Sequence, residues 1–277
     1  MTTFIIAQLT IQETQRRRIL WLALLLGLLF LVIYGVGFHY IYTDIAEFSR
    51  GSRDLDLVVG LLLTAGLYVV NFLIIVMSVL TSVTAVSGEI ESHTVETLLT
   101  KPIRRWEFVL GKWVGFAAML LVYIVILVGG IMTIVYWRAG FVVQNLWAGI
   151  GLMVLEGLVV LSLTIAVGTR LSTLANGVVA FMLYGLAFIG SWVEQIGALF
   201  QNETAVDIGI VASLLMPSEM LWKKALALFQ PTLSDNPLNV GPFAVASEPS
   251  NLMLVYSVCY ALGLLLLALG TFSKRDL

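Results

Sequence analysis

The sequence predicts an all-α integral membrane protein with six transmembrane helices. Three observations lead there. Of the 277 residues, 60% are hydrophobic and only 12% are charged, against about 25% charged in an ordinary soluble domain. A soluble core has no room for so much apolar surface, so lipid is the expected solvent. Six segments reach the roughly 20 mostly apolar residues that a membrane-crossing helix needs. All six prolines, Pro102, Pro217, Pro231, Pro237, Pro242 and Pro249, fall between those segments. Uninterrupted helices require this, because an interior proline removes a backbone hydrogen bond.

The spans are expected at about 19–38, 58–86, 114–136, 146–168, 176–194 and 252–272, within a single transmembrane domain over residues 1–277. Before the first lies "TFIIAQLTIQETQRRR", residues 3–18. Its apolar residues, its basic end and the i, i+4 pair Glu13–Arg17 suit a short helix along the inner membrane surface; a plain extension of the first span is the other reading. A cleavable leader would have a shorter apolar core, roughly 7–15 residues, ending in small residues. "ILWLALLLGLLFLVIYGVGF" does not end that way, so a retained span is expected. The second span is long enough to tilt or to project beyond the bilayer.

Basic residues in short loops set the orientation. With the N-terminus in the cytoplasm, the inside holds Arg16, Arg17, Arg18, Lys101, Arg104, Arg105, Lys112, Arg170, Lys274 and Arg275, and the outside holds Arg50, Arg53, Arg138, Lys223 and Lys224. Ten against five places both termini in the cytoplasm of a multi-pass cell-membrane protein. The net charge of −2 offers nothing to nucleic acid. One cysteine, Cys259, makes no internal disulfide, and His39 and His93 fall on opposite sides, which argues against a histidine metal site.

One cytoplasmic loop, 87–113, opens a dense polar island. "SGEIESHTVETLLTKPIRRWEFVLGKWVG", residues 87–115, carries eight of the chain's 32 formal charges. Ser92 suits a helix start, and Glu89, Glu91 and Glu96 lie at or before its beginning, where the helix dipole favours acid. Val95, Leu98 and Leu99 make one apolar face at i, i+3, i+4, and Pro102 ends the helix. Arg104 and Arg105 then precede a new helix that rises into the third span. On pattern alone this is either a solvated loop or a docking surface through which a soluble partner moves the bundle. "GK" at Gly111–Lys112 is no phosphate loop: Trp106 stands at the place of the earlier glycine, and Trp113 at the place of the Ser or Thr that holds magnesium. Any ATP would be handled by another chain.

The island resembles the cytoplasmic loop of ABC transporter permeases of the type-2 exporter family. Matching positions are Glu89, Thr94, Val95, Glu96, Leu98, Leu99, Pro102, Ile103, Arg105, Gly111 and Lys112. The entry segment "TIQETQRRRILWLALLLGLLFL" looks like the family's too. The resemblance implies that residues about 91–101, including Glu91, form a coupling helix seated on a separate ABC ATPase subunit. That subunit would hold ATP and Mg, with no cofactor bound by this chain. It also implies a second permease chain, the same or a homologue, and a substrate path lined by the second and fifth spans.

Two features lie elsewhere. Residues 195–251 are expected as a long external loop, able to lid an exit or meet an external partner. Within it, "PSEMLWKKALALF" at 217–229 suits an interfacial helix with Leu221, Trp222 and Phe229 on an apolar face toward membrane lipid and Pro217 in the first turn. Asn71 and Glu156 fall near the middles of the second and fourth spans. A mid-bilayer charge costs roughly 2.5–3.5 kcal/mol on insertion scales, so these residues are expected to face the bundle, either bonded to each other or lining a pathway. No nucleophile elbow or metal-protease motif is present, so the chain is not read as an enzyme. The expectation is therefore the permease subunit of an ATP-driven exporter. A non-transporting membrane subunit that relays motion to an external partner and a secondary transporter are the alternatives.

Overall fold

The computed structural model describes residues 2–48, 52–91, 104–229 and 249–274. Among them the chain forms ten helices and no strand: α1 (Thr2–Arg16), α2 (Arg18–Phe48), α3 (Ser52–Ser82), α4 (Ser87–Glu91), α5 (Arg105–Ala139), α6 (Leu146–Gly168), α7 (Thr173–Leu199), α8 (Glu203–Leu215), α9 (Ser218–Phe229) and α10 (Asn251–Ser273). Six of these, α2, α3, α5, α6, α7 and α10, are long and apolar enough to cross a membrane, and they cover the six expected segments. The chain is an all-α membrane protein. Its outer surface agrees: Leu22, Leu25, Leu29, Val32, Ile33 and Val36 all stand exposed on α2, a continuous apolar face that water would not tolerate.

Most of the helices run past the expected spans, although Leu146–Gly168 coincides with its segment and Ser52–Ser82 begins early and stops short of 86. α3 has 31 residues and α5 has 35; at 1.5 Å per residue these run about 46 and 52 Å, beyond a hydrocarbon core of about 30 Å. α5 begins where the N–H of Arg104 donates to Glu107 Oε2 at 3.2 Å. It ends at Gly140, whose φ of 65° carries the chain out of the helix while its N–H donates back to Tyr136 O.

The central core gathers α2, α3, α5, α6 and α9 around Leu67, Ile74, Ile124, Val128 and Met153. At the end of the bundle that carries both termini, a second cluster joins α1 (Ile6), the turn after α3 (Ala85, Val86), α5 (Phe108, Val109, Phe116), α6 (Leu161, Ile165) and α10 (Phe272). Phe108 stacks on Phe272 with centroids 5.6 Å apart. The polar island therefore grows from the same end as the termini.

α1 is a helix in its own right, broken from α2 at Arg17, so the reading as a plain extension of the first span is set aside. Its buried residues, Ile6, Ala7, Thr10 and Thr14, face α5, while Phe4, Ile5 and Leu9 stay exposed. Two glycines make the contact close. A Cβ at Gly111 would lie 2.6 Å from Ile6 Cβ, and one at Gly115 would lie 2.9 Å from Ala7 O. "GKWVG" is thus a small-x-x-x-small seat for a helix.

Residues 195–251 depart furthest from expectation. α7 runs on through Leu199, and Glu203–Leu215 forms α8, a helix the sequence reading did not foresee. α8 turns back along α7, with small residues at the crossing: a Cβ on Gly190 would meet Ala212 Cβ at 2.2 Å. A bend of 103° then leads into α9. The expected helix over 217–229 is present, but its apolar face is not turned to lipid. Leu221, Trp222 and Phe229 are all buried in the central core, and Lys223 and Glu219 are buried with them. The reason is geometric: α9 packs along α6 and is closed in by α7 and α3. The orphan carbonyls at the end of α8, Leu214 O and Leu215 O, accept hydrogen bonds from the hydroxyls of Tyr256 and Tyr260 on α10 at 2.5 and 2.8 Å. The rest of the expected loop, 230–248, lies outside the described residues.

Gly111→Leu is expected to push α1 off α5 and to destabilise the protein by roughly 1–3 kcal/mol, the usual cost of overpacking. Gly129→Leu, at a position with open space around its Cβ, should have little effect. Thermal unfolding of the two variants in detergent, side by side, checks this.

Candidate functional site

Two polar sites stand out in the apolar bundle. The first is the root of the island. Lys112 is buried on α5 and its ammonium donates to Glu89 Oε1 on α4, also buried. Glu13 of α1 reaches the same ammonium at 3.6 Å. Arg17 bonds Glu13 Oε1 and, through its other nitrogen, Thr84 Oγ1 just after α3, each at 2.5 Å. Burial by itself raises the pKa of Glu13, but Lys112 and Arg17 outweigh that and hold the carboxyl below its ordinary value. The two legs of the island, α4 and the first turns of α5, are thereby clamped together and tied to α1.

The same end is stitched to α6 and α7. Ser78 Oγ donates to Gly157 O at 3.0 Å, the hydroxyls of Ser82 and Thr164 are bonded to each other, and Trp113 Nε1 donates to Ser162 Oγ at 3.0 Å. The Asn176 amide donates to Val83 O at 3.2 Å and to Thr164 O at 2.9 Å. Ser87 meets Thr173 at 3.1 Å. Interhelical hydrogen bonds of this kind hold membrane bundles together where lipid supplies no hydrophobic drive between helices.

Of the residues expected in the island, the structure brings Glu89 to Lys112 and places Arg105 at the opening of α5. Glu91 closes α4. Thr94, Val95, Glu96, Leu98, Leu99 and Pro102 lie outside the described residues, and so does the coupling helix they were read to form.

The second site is a cavity of about 550 Å3 between α3 and α7, the second and fifth spans, floored by α9. Tyr68, Asn71 and Phe72 come from α3, Phe181, Tyr184 and Phe188 from α7, and Glu219 and Trp222 from α9. Tyr68 and Trp222 meet edge to face at 4.9 Å. Asn71 Nδ2 donates to Glu156 Oε1 at 3.2 Å, so the two deep polar residues expected to face the bundle are bonded to each other. Glu156 is completely buried behind Asn71 and does not line the cavity. Tyr184 and Glu219 line the same cavity, and Lys223, one turn further along α9, is paired with Glu194 of α7 at 2.9 Å.

Sequence reasoning missed Glu194, Glu219 and Lys223. The i, i+4 spacing of Glu219 and Lys223 on α9 is the one local signal that could have found them. Lys224, on the same helix, is turned toward the start of α10, donating to Pro249 O and Asn251 Oδ1 at 3.0 and 2.7 Å. No group of three or more metal-ligating side chains occurs among the described residues.

The model of one known family, described as ABC-2 family transporter protein, matches residues 5–277. The chain belongs to that family. It is thus a membrane subunit of the ABC transporter class, and such subunits typically work with an ABC ATPase and are not themselves enzymes. No curated protein matches it.

Lys112→Met leaves Glu89 and Glu13 facing each other without the ammonium between them. Breaking a buried pair costs roughly 3–5 kcal/mol, so a large fall in melting temperature is expected, with much of it recovered in Lys112→Met/Glu89→Gln. The Glu13 contribution is present above the ordinary carboxylate pKa of about 4.3 and is lost as pH falls through the depressed folded value. Melting temperature should therefore drop more steeply with acid below that point in the wild type than in Glu13→Gln.

Proposed function

We propose that this ABC-2 family chain is the permease half of an ATP-driven exporter. A separate ATPase would dock on the island, and two permease chains, identical or homologous, would enclose the substrate path. ATP draws the partner ATPases together, their closure displaces the segment around Val95–Leu99, and the bundles pass between two states. On this reading the island and both termini face the cytoplasm, as the ten-to-five bias of basic residues favours.

The observation that carries the proposal is the clamp at the island root. A load taken up between residues 92 and 103 enters the bundle through α4 and α5. The Lys112–Glu89 pair joins those two legs, and Arg17 with Glu13 joins them to α1. Such a root moves as one piece, which an unloaded solvent loop has no need of. The cavity between the second and fifth spans supports the transport half of the reading, because it holds polar groups at a depth where they are costly.

Affinity purification from native membranes tests this, with wild type beside a Val95→Ala/Leu98→Ala/Leu99→Ala variant. Wild type should bring down a P-loop ATPase, and the variant should lose it while remaining folded. Reconstituted with that ATPase, the wild type should show hydrolysis that rises with solute moved. Co-purification without any solute-linked hydrolysis would point instead to a relay subunit, and no ATPase in either sample would overturn the reading.

A further inference from the structure

The cavity between α3 and α7 has walls of aromatic rings and one buried acidic side chain, Glu219. Glu219 is only 3% exposed. Its Oε1 has no hydrogen-bond partner, and neither has Oδ1 of Asn71, whose amide nitrogen is turned away to Glu156. Both atoms are acceptors on residues that line the cavity, and the one open donor beside them there is the indole N–H of Trp222. Around them stand three buried or half-buried carboxylates, Glu156, Glu194 and Glu219, and one ammonium, Lys223. Lys223 is taken up by Glu194 at 2.9 Å. An anionic guest would set its charge against these acceptors, and a neutral one would leave the Glu219 carboxyl without a counter-ion.

The rings point the same way. The faces of aromatic side chains carry negative quadrupole density and attract cations, most strongly where water is scarce. The volume, about 550 Å3, lies within the range of about 300–1,000 Å3 usual for small-molecule sites. Phe72, Phe181 and Phe188 are partly exposed, so the cavity opens onto the apolar flank of the bundle, where a molecule dissolved in lipid would arrive.

Resting on the reading that this chain moves a solute, we propose that the cavity binds an amphipathic organic cation: an apolar body bearing a quaternary or protonated nitrogen, with the Glu219 carboxylate as counter-ion. The rings hold the body. Glu219, delivered by α9, selects the charge.

The test uses the full chain in lipid nanodiscs and two ions of the same shape and opposite charge, tetraphenylphosphonium and tetraphenylborate, with binding to empty nanodiscs subtracted. Wild type should bind the phosphonium at least tenfold more tightly than the borate. Glu219→Gln should weaken the phosphonium at least tenfold and leave the borate no weaker. Phe188→Leu, at the open edge of the cavity, should weaken the phosphonium about threefold. Equal affinity for the two ions in the wild type overturns the proposal, even if Glu219→Gln does not fold. So does phosphonium binding that neither folded variant changes. Binding is read without ATP or a partner, so its failure leaves the exporter reading untouched, whereas loss of ATPase co-purification would leave a cation site in a chain that is not a pump.

Discussion

Lipid hydrocarbon offers the polar groups of a membrane bundle no hydrogen-bond partner, and most of this structure answers to that constraint. A backbone or side-chain polar group enclosed in hydrocarbon has to find its partner within the protein. Long helices satisfy their own backbones, which is why the spans are helical and why the prolines are kept out of them. Wherever a helix stops inside the bundle, another element has to supply what the backbone lacks. The break after Leu215 survives because Tyr256 and Tyr260 reach across from α10 to the stranded carbonyls. The turn at 83–86 survives because Asn176 donates to Val83 O. The same rule governs charge: Lys112 meets Glu89 and Glu13, and Lys223 meets Glu194.

This logic also separates the two polar sites. At the island root the charges are compensated by close pairing, and the buried groups act as mortar between α1, the end of α3, α4 and α5. Pairing of this kind favours one arrangement over others more than it adds stability. In the cavity between α3 and α7, the acceptors Glu219 Oε1 and Asn71 Oδ1 are left open. The residues that carry them line one cavity, so a guest bearing a positive charge or a donor would supply what both atoms lack.

Most of the fold was legible because a membrane span is the strongest signal a sequence carries: all six long helices follow from hydropathy and proline placement alone. The misses share a cause. "ETAVDIGIVASLL" is too short to span and has an Asp and a Gly in it, so nothing marked it as a helix doubling back on α7. "PSEMLWKKALALF" has the pattern of an interfacial helix, and periodicity cannot say whether an apolar face meets lipid or protein. Its Lys223 was placed among the external basic residues, yet it pairs with Glu194, 29 residues earlier, a partner no local window contains. Asn71 and Glu156 were legible because isolated polar residues deep in apolar spans have few places to go. Lys112 and Gly111 were noticed as a motif, but their work, seating α1 and holding Glu89, became visible only with α1 in place.

α3 is the element common to both sites. Asn71 and Tyr68 line the cavity from one part of it; Thr84, just past its end, is bonded to Arg17, and α4 with Glu89 follows. From Asn71 to Ser82 the helix is continuous, roughly 16 Å at 1.5 Å per residue, and a helix of that length transmits displacement with little loss. The turn at 83–86 is where it meets the island. Held there by Asn176 of α7 and, through Thr84, by Arg17, the turn is braced against the same helix that forms the other wall of the cavity. Any shift of the island root that moves α3 relative to α7 must therefore change the gap in which Tyr68 and Asn71 face Tyr184 and Phe188, and a guest that fills that gap must in turn resist or favour the shift, since the coupling between two bound states is reciprocal.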